Sequence, residues 1–112
     1  MKTMKMPPDI KQRWIDALRS GQYPQGHGRL QVAGRFCCLG VLCEVLGIPA
    51  VTIDQRICYG GCETGLPREA VQRTGLYNST RVKIDGQSCP LPYHNDTGAT
   101  FEQIAQAIET DL

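Results

Sequence analysis

Phe36-Cys37-Cys38-Leu39-Gly40-Val41-Leu42-Cys43, followed by Glu44-Val45-Leu46-Gly47, is the stretch that decides the fold. The run is apolar on every face, yet far short of the about 20 residues that a bilayer requires, and Gly47 suits a helix C-terminus. It predicts a buried central helix over approximately residues 35 to 46, around which the rest of a small domain packs. It also carries three of the six cysteines. Thiols in such a place are either inert core residues or a reactive or metal-binding group.

The elements on either side are legible from periodicity and punctuation. Pro7 or Pro8 opens a helix that runs to Arg19, with Asp9 in its first turn, Arg19 in its last and Gly21 beyond it. Ile10, Trp14, Ala17 and Leu18 share one face of this helix, with Ile15 beside it. Arg29-Leu30-Gln31-Val32 alternates as a short strand, and Gly34 turns the chain into the cysteine helix. Val51-Thr52-Ile53 and Arg56-Ile57-Cys58-Tyr59 are β-prone, and Gly60-Gly61 is a hairpin signal that would set Tyr59 opposite Cys62. Leu66 to Thr74, with Pro67 near its start and Gly75 past its end, reads as a two-turn helix. Arg81 to Ile84 alternates, and Asp85-Gly86 returns the chain through Gln87-Ser88-Cys89, while Pro90 and Pro92 stop any central strand. Thr100 and Gln103 have capping-box spacing, and Phe101, Ile104, Ala105 and Ile108 form the stripe of a last helix extended by Leu112.

The resulting expectation is an α+β fold, three or four short helices around the cysteine helix with one or two small antiparallel hairpins. Residues 1–112 form one domain, with residues 1–6 a disordered N-terminus. The expected core is Ile10, Trp14, Leu18, Phe36, Leu39, Leu42, Cys43, Val71, Phe101, Ile104 and Ile108. A formal net charge of +1 disfavours general nucleic-acid binding or attraction to anionic lipid. Met6-Pro7-Pro8-Asp9 stands where the apolar segment of a secretory signal would lie, so the expected compartment is the cytoplasm and the cysteines are expected as free thiols.

Four constellations could carry chemistry. Cys37 or Cys38, at the start of a helix, has the placement of an activated thiolate, and His94 with Asn95 or Asp96 could supply a base and its orienting partner. The apolar surroundings favour burial instead. Cys58 and Cys62 with Cys89 and His94 would make a four-ligand structural zinc site, although the Gly-Gly hairpin explains the first pair equally well as cross-strand neighbours. The Gly26-His27-Gly28-Arg29 loop offers close backbone approach and donors suited to phosphate or carboxylate, without a P-loop signature. Asn95-Asp96-Thr97-Gly98 reads as an Asx-type turn into the last helix; together with His27 and Arg29 it could also rim a small-molecule pocket. The ligand-binding candidates are therefore His27, Arg29, Asn95, Asp96 and Thr97, with no cofactor beyond the zinc alternative.

The ordered trio Trp14-Ile15-Asp16-Ala17-Leu18-Arg19-Ser20-Gly21, Phe36 to Cys43, and Asn95-Asp96-Thr97-Gly98 with Phe101-Glu102-Gln103-Ile104-Ala105 resembles a family of small uncharacterised proteins of tailed bacteriophages and prophages. The resemblance spans nearly the whole chain. It implies a phage origin, action inside the host cell, and no activity that can be carried over. An aliphatic residue often precedes the Asn-Asp pair in that family, whereas His94 stands here, which argues against an essential His94. The expected role is a non-enzymatic accessory protein that binds a host protein or a small ligand, for instance to blunt a defence by sequestering a nucleotide signal. The alternatives are a small cysteine-dependent enzyme and a zinc-stabilised interaction module.

Overall fold

The computed structural model describes residues 6–112. Residues 1–5 of the expected disordered terminus lie outside the described residues; Met6, the last residue of that expectation, is instead buried in the core at 5% exposure. The described chain is α+β, with five helices and three two-stranded antiparallel sheets. No helix among the described residues is long and apolar enough to cross a membrane.

The cysteine helix, α2 (Cys38–Val45), sits at the centre, with Cys38, Leu39, Gly40, Val41, Leu42 and Cys43 all buried. Helix α1 (Pro8–Arg19) starts on Pro8 and buries Ile10, Trp14, Ile15 and Leu18. It packs against both α2 and α5 (Phe101–Asp111). Trp14, fully buried, donates its indole N–H to the carbonyl of Cys38 at 2.9 Å and so joins α1 to the first turn of α2. Helix α5 opens on the expected capping box: Thr100 accepts from the N–H of Gln103, and the Gln103 side chain accepts from the N–H of Thr100. Gly40 is where α2 touches the chain segment before it. A Cβ there would overlap the carbonyl oxygen of Leu30, so only glycine allows this approach.

The hairpins depart from expectation in number, three rather than one or two, and in position. The pairs β1 (Gln31–Val32) with β2 (Arg35–Phe36), β3 (Ala50–Ile53) with β4 (Arg56–Tyr59), and β5 (Arg81–Ile84) with β6 (Gln87–Pro90) are each closed by two residues of positive φ. Asp85-Gly86 is the expected case. Ala33-Gly34 turns a hairpin, so Arg35 and Phe36 belong to a strand and α2 begins three residues later than expected. Asp54-Gln55 turns the second hairpin with φ of 50° and 68° and no glycine, which left no sequence signal. Gly60-Gly61 does set Tyr59 opposite Cys62, but as a single bridge beyond β4, with bonds of 2.8 and 2.9 Å.

Helix α3 (Arg68–Thr74) begins two residues later than expected, because Leu66 precedes a proline and is disfavoured in helical geometry, and Pro67 is itself the N-cap in an extended conformation with ψ of 160°. A further helix, α4 (Leu91–Asp96), replaces the expected Asx-type turn at Asn95. Pro90, expected to stop the strand, is instead its last residue, paired with Arg81, and Pro92 occupies a position in the first turn of α4 where a missing N–H costs nothing. The expected core residues are buried except Phe36 and Val71, which are partly buried against it. Ile15, Leu30, Val41, Tyr59, Val82 and Leu91 are among the further residues of the core, and the polar Asn95 is buried as well.

Candidate functional site

The N-terminus of α2 is where Cys37, Cys38, Asn95, Asp96 and the glycine loop, all singled out in the sequence, come together. A helix start leaves backbone N–H groups without intrahelical partners. Here Cys37 is the N-cap, and its sulfur accepts from the N–H of Gly40 at 3.4 Å, a task usually given to Ser, Thr, Asp or Asn. The N–H of Cys38 goes to Asn95 Oδ1 at 3.3 Å. Cysteine at this position is thus an apolar N-cap that can be buried, which explains the Cys-Cys pair without recourse to reactivity.

Asn95, 0% exposed, is the hub. Its Oδ1 also accepts from Gln25 Nε2 at 3.0 Å, while its Nδ2 donates to the carbonyl of Gly26 at 2.9 Å and to Asp96 Oδ1 at 3.1 Å. An amide offers two donor hydrogens and two acceptor lone pairs, and all four are used inside the fold. Asp96 reinforces the same junction from the surface by accepting from the N–H of Gly28 at 3.0 Å. Gln25 adds a bond to the carbonyl of Ala99 at 2.8 Å. Gly26 and Gly28 therefore serve as docking points for α4, and the 25–28 loop, α2 and α4 are locked together at one place.

The expected juxtaposition of Asn95 and Asp96 with the glycine loop is real, but its donors face inward. Arg29 and Thr97 do not join it. Arg29 Nε lies 3.1 Å from Glu63 Oε2, out of line for a hydrogen bond and so an ion pair, and Arg56 approaches the other Glu63 oxygen at 3.5 Å. His27 is exposed on the loop. Thr97 donates to the carbonyl of Tyr93 at 2.8 Å and borders a shallow cleft of about 270 Å³ that also touches His94, Asp85 and Gln87. The five ligand-binding candidates thus do not converge on one pocket: Asn95 is consumed, Arg29 is paired, and Thr97 faces elsewhere.

The nucleophile reading meets a similar correction. Burial pushes the thiols of Cys37 and Cys38 up, Cys38 well above its ordinary value, which is the opposite of thiolate activation. Burial likewise raises Cys43 to about 12. His94, buried, holds its Nε2 at 2.9 Å from the carbonyl of Val82, so that nitrogen carries the proton and ties α4 to β5. The Cys38 thiol points to the carbonyl of Leu91 at 3.9 Å. Neither partner is aimed at the other. The zinc quartet is not assembled either: Cys58 and Cys62 flank the Gly-Gly bridge, Cys89 and His94 lie on β6 and α4, and no group of three or more potential ligands gathers among the described residues.

A second polar network has no signature in the sequence. Tyr59, buried on β4, accepts from Gln31 Nε2 at 2.6 Å and donates to Glu44 Oε2 at 2.7 Å, holding the hairpin against α2. Burial and the Glu44 carboxylate both raise the phenol above its ordinary value. Gln25 and Gln31 sit in loop-like and strand-edge sequence, where no spacing rule marks a glutamine as a structural partner.

Together these features define a small α+β domain whose buried polar groups clamp a cysteine-rich central helix. Its first part, residues 6–48, matches the family described as domain of unknown function DUF8296. That region contains α1, the Gly26 loop, the first hairpin and α2, the elements joined by Trp14 and by the N-cap. No curated protein and no solved structure matches the chain.

Proposed function

We propose that this chain is a non-enzymatic accessory protein of phage origin that acts in the host cytoplasm by binding a host protein, with interference in a defence system as a concrete version. Asn95, Asp96 and Arg29, which could have held a small ligand, are engaged within the fold, and the thiols at the start of α2 are buried, whereas large side chains suited to protein contact remain outside. Tyr77 and Tyr93 are 62% and 54% exposed. Their segments adjoin: the N–H of Thr80 returns to the carbonyl of Tyr77 at 3.1 Å, and the N–H of Leu91 donates to the carbonyl of Thr80 at 3.2 Å. Tyrosine brings a rigid apolar body and a polar tip, and it is among the residues that dominate binding energy in protein interfaces.

The pair of exposed tyrosines beside the β5–α4 junction is the observation that carries this reading. Its test compares affinity capture from host extract by the wild-type chain and by a Tyr77→Ser, Tyr93→Ser double variant, with thermal unfolding to verify the fold. A specific captured protein that is lost with the variant supports the reading. Capture of the same protein by the double variant, or none by either, refutes it.

A further inference from the structure

We infer that β3 is the pairing edge of a symmetric dimer, in which two copies of this chain join their β3 strands antiparallel into a four-stranded sheet ordered β4-β3-β3-β4. All four residues of β3 are exposed, on both faces of the hairpin. In an antiparallel pair closed by a two-residue turn, the residues flanking the turn exchange hydrogen bonds and the next pair does not. Ile53 and Arg56 flank the turn, so Val51 also bonds across to Cys58, while Ala50 and Thr52 point their N–H and C=O groups outward. The same rule places the backbone groups of Tyr59 outward on the other edge, where they bond to Cys62. It also turns Phe36 outward toward Pro24 and Gly26, and the N–H of Lys83 outward toward Asp111. Those groups are covered; the outward groups of Ala50 and Thr52 have no partner among the described residues.

The register follows from counting these groups. An antiparallel partner strand can exchange bonds only where outward residues face each other. Pairing Ala50 with Ala50, or Thr52 with Thr52, uses one residue of each copy. Pairing Ala50 with Thr52 of the second copy, and Thr52 with its Ala50, uses all four groups of each edge at once. The two-fold axis then passes beside Val51, which meets Val51 of the other copy in a close, non-hydrogen-bonded pair. Ile53 falls opposite Pro49, whose missing N–H points away from the new strand and costs nothing. The row Pro49, Val51 and Ile53 lies on one face, with Val51 and Ile53 51% and 50% exposed, and it packs against its own reverse.

Ala50 to Ile53 contains no charge, no proline and no bulge, so its shortness is the one edge-blunting device of the strand itself. The formal net charge of +1 leaves two copies with little mutual repulsion. A four-residue edge buries much less than the about 1,200 Å² at the lower end of stable interfaces, so the dimer is weak and concentration-dependent. This surface is separate from Tyr77 and Tyr93, and the inference stands whether or not those bind a host protein.

Sedimentation velocity of the reduced full chain from micromolar to millimolar concentration tests it. The wild type is expected to shift from monomer to dimer, and Val51→Lys, which opposes two like charges at the axis, to raise the dissociation constant about tenfold or more. Because any single substitution could act through the hairpin itself, Val51→Cys supplies an independent readout. With oxidised glutathione it is expected to form an intermolecular disulfide between the two copies of the introduced thiol, located by peptide mass spectrometry, faster than Ile53→Cys forms its own. A wild type that stays monomeric at millimolar concentration, a dimer indifferent to Val51→Lys, or faster cross-linking at residue 53 overturns the proposal. A monomer whose β3 instead accepts a strand from another protein overturns it as well.

Discussion

Replacing Asn95 by alanine tests whether the polar cluster at the start of α2 is a clamp or an unfilled binding site. The substitution leaves the N–H of Cys38 and the carbonyl of Gly26 without the bonds that the amide gives them. Gln25 retains Ala99, and Asp96 retains the N–H of Gly28, so those groups are not orphaned. Both Cys38 and Gly26 are buried. A buried polar group left unpaired costs roughly 1–3 kcal/mol, so two such groups with the lost side-chain volume predict a loss of about 3–5 kcal/mol. That is a large part of the about 5–15 kcal/mol that holds a domain of this kind together. Urea unfolding followed by Trp14 fluorescence is the assay, with the same m-value required of both proteins. Trp14 is a sensitive reporter because its indole bonds to the residue whose N–H Asn95 holds. A loss below about 1 kcal/mol at unchanged m would refute the clamp. It would mean that the amide is not committed to the fold and that the donors assigned to it are available to a ligand.

Gly40→Ala drives a Cβ into the Leu30 carbonyl, which also accepts the N–H of Cys37 at 3.1 Å, and should lower stability by about 2–4 kcal/mol. Gly86→Ala, which meets open space at a φ of +81°, should cost only about 1–2 kcal/mol through backbone strain; equal losses for the two in urea would remove the close-approach argument. At pH 8 iodoacetamide should label Cys62 and Cys89, which are partly exposed, well before Cys37, Cys38 and Cys43, with peptide mass spectrometry as the readout. Rapid selective labelling of Cys37 or Cys38 in the folded chain would contradict their burial. Alkaline titration has a defined sign: the unfolded chain releases the Cys43 proton near pH 9, whereas the folded chain holds it to about 12. Stability contributed by the neutral thiol is therefore fully present below pH 9 and lost as pH rises toward 12, and Cys43→Ala should flatten that decline in thermal melts.

Much of this architecture was written in local chemistry. The all-apolar run around Cys38 could be stable only inside; the Pro8 start, the Trp14 stripe, the Asp85-Gly86 turn and the Thr100–Gln103 box each act over a few residues, and each formed as read. Short-range rules failed where a distant partner chose between near-equal local states. Arg35 and Phe36 have no strong preference, and they became a strand because Phe36 pairs with Gln31 and with the 24–26 segment. Asp54-Gln55 took up positive φ because the strands on either side pair, with no glycine to announce it. That a central buried helix exists could be read without coordinates, since an unbroken apolar run depends only on neighbours along the chain, whereas its start at Cys38 could not. What Cys37, Asn95, Asp96 and Gly26 do there arose from the packing, because burial and hydrogen-bond direction exist only once segments 69 residues apart have met.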